Sequence, residues 1–158
     1  MASSREAKRR KVEVSQVEIS AFCHATEDCT RVEYAVKNLL PPELKNIVFI
    51  NTTTHEGYYG NPISVLNLKL TSKEHVDLLL RHLSNTLQPL EKSILKATFD
   101  LRYDPPTKRL IVRFSKQDLY LGGLKITDSD DVVKLVVHFK NAKSKNDALD
   151  YLSRVNLL

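Results

Sequence analysis

Residues 14–28 read "VSQVEISAFCHATED", and the fold turns on how this run divides. Val17, Ile19, Ala21 and Cys23 recur at every second position, which predicts a half-buried strand. The alternation stops at His24. Thr26 then stands where a helix N-cap belongs, with Glu27 and Asp28 placed to favour the positive end of a helix. Val32, Val36, Leu39 and Leu40 supply that helix's apolar stripe, and Pro41-Pro42 ends it. A strand followed at once by an amphipathic helix points to a layered α and β protein.

Reading outward, "NIVFINTTTHE" (46–56) is β-branched and predicts a second strand, and "ISVLNLKL" (63–70) a third. Ser72 caps a helix with Val76, Leu79, Leu80, Leu83 and Leu87 on one side. Gln88-Pro89 interrupts it, and "LEKSILKA" adds a short helix. "TFDLRYD" alternates with Phe99, Leu101 and Tyr103 on one side, and "RLIVRFS" follows the Pro105-Pro106 turn as its hairpin partner. "LKIT" and "DVVKLVVHFK" predict two more strands. "SKNDALDYLSRVNLL" closes as a helix with Ala148, Leu149, Leu152 and Val155 inward. The order β-α-β-β-α-α-β-β-β-β-α predicts a two-layer α+β sandwich, one mixed sheet with helices on one face. Residues 14–158 form a single domain in this reading, and residues 1–13 a basic flexible tail.

Composition narrows the class. At 158 residues, with 42% hydrophobic and 27% charged residues, the chain has the make-up of one globular domain. No apolar run approaches the ~18 residues that cross a bilayer, and no apolar segment follows the charged start, so neither a membrane partner nor a secretory signal is expected. Two cysteines, Cys23 and Cys29, suit a reducing cytosol better than a disulfide scaffold, and a cytoplasmic protein is expected. The net charge is +5, of which residues 1–11 carry +4. Lys8, Arg9, Arg10 and Lys11 thus offer non-specific phosphate contact from a tail, while the body is close to neutral.

Four stretches carry candidate sites. His24, Glu27 and Asp28 lie at a strand-to-helix junction, but no nucleophile–base–orienter set accompanies them and no catalytic motif is present, so no enzyme is expected. Cys23, His24, Cys29 and His55 are of metal-binding type, yet the cysteines lack zinc-site spacing; neither metal nor cofactor is expected. The third is "HEGYYGNPI" (55–63). A chain with four glycines spends two of them, Gly57 and Gly60, around a tyrosine pair, and Pro62 stiffens the exit through Asn61. Tyr58 and Tyr59 either stack on unpaired bases or fold back over the sheet. In "RLIVRFSKQDLYLGGLKI", Arg113, Lys116, Gln117 and Tyr120 combine basic, amide and aromatic groups ahead of Gly122. Such a set reads equally as a phosphate-and-base surface or as a solvated hairpin end.

Together, "VEISAFCHATED", "GYYGNPI" and "LIVRFSKQDLYLGGLKI" with "SDDVVKLVV" resemble an archaeal family of RNA-binding proteins and predicted exosome subunits. The resemblance covers roughly residues 15–140. It marks His24, Thr26, Glu27 and Asp28, then Gly57, Gly60, Asn61 and Pro62, then Arg113, Lys116, Gln117, Tyr120 and Gly122. Family members often carry histidines where this chain has Tyr58 and Tyr59. It implies a fold similar to the ribosomal protein that contacts 5S rRNA, and a place in RNA processing near the archaeal exosome.

The reading is therefore a non-enzymatic RNA-binding accessory protein. Tyr58, Tyr59 and Tyr120 stack, Asn61 and Gln117 offer amides, Arg113 and Lys116 meet phosphate, and Gly57, Gly60, Pro62 and Gly122 shape the loops. The alternative is a protein-interaction module, a homodimer or an assembly subunit, that shares the fold without the activity.

Overall fold

The computed structural model describes residues 11–57 and 60–158. Its strands are β1 (Glu13–His24), β2 (Asn51–Glu56), β3 (Pro62–Leu70), β4 (Tyr103–Asp104), β5 (Arg109–Ser115) and β6 (Val132–Lys140). They form one sheet in the order β2-β3-β1-β6-β5-β4. All of its pairings are antiparallel, where the sequence predicts a mixed sheet. Hairpins β2–β3 and β4–β5 supply the flanks, and β3 and β5 lie antiparallel to the central pair β1 and β6, themselves antiparallel. The helices are α1 (Cys29–Lys37), α2 (Pro42–Lys45), α3 (Lys73–Thr86), α4 (Pro89–Ala97), α5 (Phe99–Arg102), α6 (Lys116–Tyr120) and α7 (Lys145–Arg154). The architecture is α+β, as the order of elements predicts.

The alternation in β1 does what it promises: Val17, Ile19, Ala21 and Cys23 are buried, level with Leu70, Leu68 and Leu66 of β3 and with Val137, Leu135 and Val133 of β6. Helices cover this face. Val32 and Val36 of α1 and Val76, Leu79, Leu80 and Leu83 of α3 complete the core with Phe99 and Phe114. Burying each such Val, Leu or Phe contributes about 1.5–3 kcal/mol, so the apolar stripes dictate which face the helices take. The helix caps follow suit. Ser72 accepts from the His75 N–H at 3.2 Å, as expected, while α1 is capped by Asp28, two residues beyond Thr26, whose carboxylate accepts from the Thr30 N–H at 2.9 Å.

Three segments depart from the sequence reading. "FDLR" is a turn of helix, not strand: Leu101 is 87% exposed, while Phe99 and Tyr103, four residues apart, stack with centroids 5.3 Å apart. "LKIT" makes only an isolated bridge, Phe114 to Ile126, flanked by bonds from the Ser115 N–H to the Lys125 carbonyl at 2.8 Å and from the Thr127 N–H to the Arg113 carbonyl at 3.0 Å. On the side away from β5 the Ile126 N–H donates to the buried Glu91 carboxylate at 2.8 Å. The second strand starts only at Asn51, leaving Phe49 before it 78% exposed. Pro42 both follows the end of α1 and opens α2 at its first turn.

Candidate nucleic-acid interface

One end of the sheet gathers the three motif stretches. His24, the last residue of β1, pairs with Ile63 near the start of β3, which brings Asn61 and Pro62 beside the strand-to-helix junction. The chain leaving β5 enters α6, whose first residue is Lys116. Its ammonium donates to the Phe22 carbonyl at 2.8 Å and lies 3.1 Å from both the Glu27 and Asp131 carboxylates. Glu27 also accepts from the His24 N–H at 3.2 Å, and Gln117 donates to Asp131 at 3.2 Å.

Lys116 was expected to meet phosphate. Its side chain is only 6% exposed and its charge is already matched by carboxylates on either side, so it holds the junction together and presents no free cation. Burial alone would raise the Asp131 pKa; hydrogen bonds from Gln117 and Lys116, with the charges of Lys116 and His24, outweigh it and hold the carboxyl below its ordinary range. Glu27 and Asp28, weighed above as catalytic, are likewise occupied, one by Lys116 and the other by the helix cap. Cys23 and Cys29 were expected as free thiols; instead they are joined to each other across this junction. Their Cα atoms lie 5.6 Å apart because the turn at residues 24–28 brings the end of β1 back against the start of α1. The bond also removes both sulfurs from any ligand set.

Tyr120 faces a cleft of about 540 Å³ between α1 and α6, lined by Asp28, Arg31, Gln117 and Leu121 among others. Its ring meets the exposed Tyr34 edge-on at 5.5 Å, and the Arg31 guanidinium lies 5.7 Å above it. Arg113 sits elsewhere. It lies on the sheet face that the helices leave open, directly opposite Lys134 on β6. The two line a hollow of about 190 Å³ with Ser20, Phe22, Val65 and Asp130. Among the described residues neither Arg113 nor Lys134 lies in an ion pair.

Phe22 is the residue that sequence reasoning missed. It is 55% exposed on the central strand of the open face, with Val65 as its partner on β3. The signal was available: once Val17, Ile19, Ala21 and Cys23 point inward, the outward set is Glu18, Ser20, Phe22 and His24, an aromatic in a polar register.

In the glycine loop, the Gly57 N–H donates to the Asn61 carbonyl at 2.6 Å. A Cβ on Gly57 would meet that carbonyl at 2.7 Å, so the close approach itself requires glycine. Asn61 is exposed, and Pro62, opposite Glu56 of the edge strand, is the first residue of β3, a position where a missing N–H is tolerated. Gly60 and Gly122 both have positive φ. Tyr58, Tyr59, Lys8, Arg9 and Arg10 lie outside the described residues. Lys11 is exposed at the opposite end of β1 from Phe22.

Fold and surface together define a class: an α+β protein whose antiparallel sheet is covered on one side and left open, with aromatic and basic groups, on the other. A family model described as RNA binding matches residues 16–139, and the chain belongs to that family. It is 30% identical over 141 residues to an RNA-binding protein of Pyrococcus abyssi, covering 88% of this chain and 90% of that one. An uncharacterized protein of Methanocaldococcus jannaschii is 31% identical over 134 residues, 84% of this chain and 89% of its own. The crystal structure of a protein from Archaeglobus fulgidus superposes with a TM-score of 0.77 at 26% identity, covering 90% of this chain and 99% of that one.

Proposed function

We propose that this protein binds single-stranded RNA on the open sheet face without transforming it, as an accessory subunit in RNA processing. The observation that carries the reading is Phe22, exposed mid-sheet beside the cross-strand pair Arg113 and Lys134. An aromatic face accepts any unstacked base, and the adjacent cations reach the phosphates that flank it. Like charges directly opposite each other destabilise a sheet, and a phosphate between them relieves that cost. The family description and the Pyrococcus abyssi relative's name support RNA as the partner class. Tyr120, with Arg31 beside it, extends the surface around the end of the sheet, and Tyr58 and Tyr59, between Gly57 and Gly60 in the sequence, are further stacking candidates.

Attachment to the exosome or a similar assembly, in the cytoplasm, completes the reading, in keeping with the resemblance to exosome subunits and to the 5S rRNA-binding ribosomal protein. A second reading, a protein-interaction module that pairs with itself or an assembly, is favoured by one feature. Edge strand β2 is exposed along its whole length and follows the exposed Ile47 and Phe49.

Fluorescence anisotropy with a labelled single-stranded RNA tests the choice. Base stacking on an aromatic side chain is worth about 1–3 kcal/mol. Phe22→Ala should therefore weaken binding about 5- to 150-fold while leaving the melting temperature nearly unchanged, since Phe22 lies outside the core. Undiminished affinity in Phe22→Ala would remove the open face as the RNA site. A concentration-dependent dimer abolished by Phe49→Asp would favour the second reading.

A further inference from the structure

At the far end of β1 from Phe22, a cavity of about 400 Å³ opens between the strand ends and helices α3 and α7. Lys11, Lys73, Lys140 and Arg154 line it, against the carboxylates of Glu13 and Asp77. Among the described residues none of these four cations lies in an ion pair. Four positive charges around one hollow repel one another, and Glu13 and Asp77 in the hollow, with Asp147 and Asp150 beside Arg154, offset part of that repulsion.

The cradle is also held in shape. Arg154 lies over the Tyr151 ring at 5.9 Å, and Tyr151 packs edge-on against buried Phe139 at 6.0 Å, which fixes the guanidinium's approach. Asn141 donates to the Lys11 carbonyl at 3.0 Å and so ties the chain leading into β1 to the turn after β6. Lys73 stands at the first turn of the 14-residue helix α3, where the helix field also favours an anion. Lys140 faces Glu13 across the sheet in register.

We propose that this cavity is a second phosphate site, which takes backbone phosphates of the same RNA strand that stacks on Phe22. The inference rests on the reading of the open face as an RNA surface. Glu13 and Phe22 stand nine residues apart on β1, or about 30 Å at ~3.3 Å per residue. At ~3.4 Å per stacked nucleotide, a strand of about 4 nucleotides spans less than half this distance and one of about 16 exceeds it. The two sites therefore act on the same RNA only when it is long enough.

The test measures anisotropy of labelled oligouridylates of about 4 and about 16 nucleotides across a salt series. Each phosphate neutralised on a single strand contributes about 0.7 to the slope of log K against log salt. Lys73→Ala/Lys140→Ala should lower the slope for the longer RNA by about 1.4 and leave the shorter isotherm unchanged. Lys73→Gln/Lys140→Gln should behave alike, and both should melt with the unmodified protein, since the two side chains are exposed. An unchanged slope for the longer RNA, or an equal loss at both lengths, overturns the second site and leaves the Phe22 site standing. Absence of binding by the unmodified protein at both lengths takes down both readings.

Discussion

Gly122 and Gly123 show how differently adjacent glycines are used. After α6 the Gly122 N–H donates to the Leu119 carbonyl at 2.9 Å and the Gly123 N–H to the Asp118 carbonyl at 2.8 Å, the paired bonds that close a helix through a left-handed residue. Gly122 is that residue, at φ 92°, whereas a Cβ on Gly123 would make only an ordinary contact with the Asp118 carbonyl, 3.6 Å away. Gly122→Ala should cost about 1–2 kcal/mol in urea denaturation and Gly123→Ala a few tenths. Equal losses would show that the cap is not the reason for the pair. Lys116 makes the other residue-scale case. Lys116→Met leaves the Glu27 and Asp131 carboxylates without their cation. Because both carboxylates keep partial contact with water, the expected loss is about 2 kcal/mol, less than the ~3–5 of a fully buried pair. The pH dependence follows from the lowered Asp131 pKa. A carboxyl held below its unfolded value stabilises the fold above about pH 3.9, and that contribution disappears as pH falls through the folded value. The gap between the native protein and Lys116→Met should hold at pH 7 and narrow below pH ~4. A gap that persists at low pH would mean that packing of the lysine stem, rather than the ion cluster, carries the effect.

At the scale of elements, the junction between β1 and α1 does most to shape the interface. The Cys23–Cys29 bond closes a ring with a sequence separation of 6, and the ring contains Glu27, the partner of Lys116. A ring this short limits the unfolded chain by about 2 kcal/mol. Reduction, or Cys29→Ser, should lower the melting temperature by about 4–8 °C in a chain of this size. Two free thiols in the unreduced protein would show that the bond does not form in solution. Element type was legible where one period dominated, as in β1, α3 and α7. It was illegible where a β-like run pairs at one residue only, as "LKIT" does at Ile126, or where a spacing of four was mistaken for one of two, as in "TFDLRYD". Helix α6 carried a signal that went unread: Ser115 accepts from the Asp118 N–H at 3.2 Å, the capping pattern of a serine three residues before an acid.

For the whole molecule, the sequence by itself determined the α+β class, the buried face of the sheet and the family. These depend on local alternation, on caps and on contiguous motifs, which a linear reading carries intact. Only the tertiary structure decided which charges are free. Lys116 and Arg113 are three residues apart in sequence, yet one is enclosed by carboxylates from two distant loops and the other, among the described residues, has no ion-pair partner and stands opposite Lys134. Phe22, Val65, Arg113 and Lys134 become neighbours only because β1 takes β3 on one side and β6 on the other, with β5 beyond. Likewise Lys11, Lys73, Lys140 and Arg154 meet at the opposite end of β1. The physical reason is range. Backbone preference and amphipathic period act over a few residues, whereas the charge balance and solvent access of a side chain are set by whatever the fold packs against it.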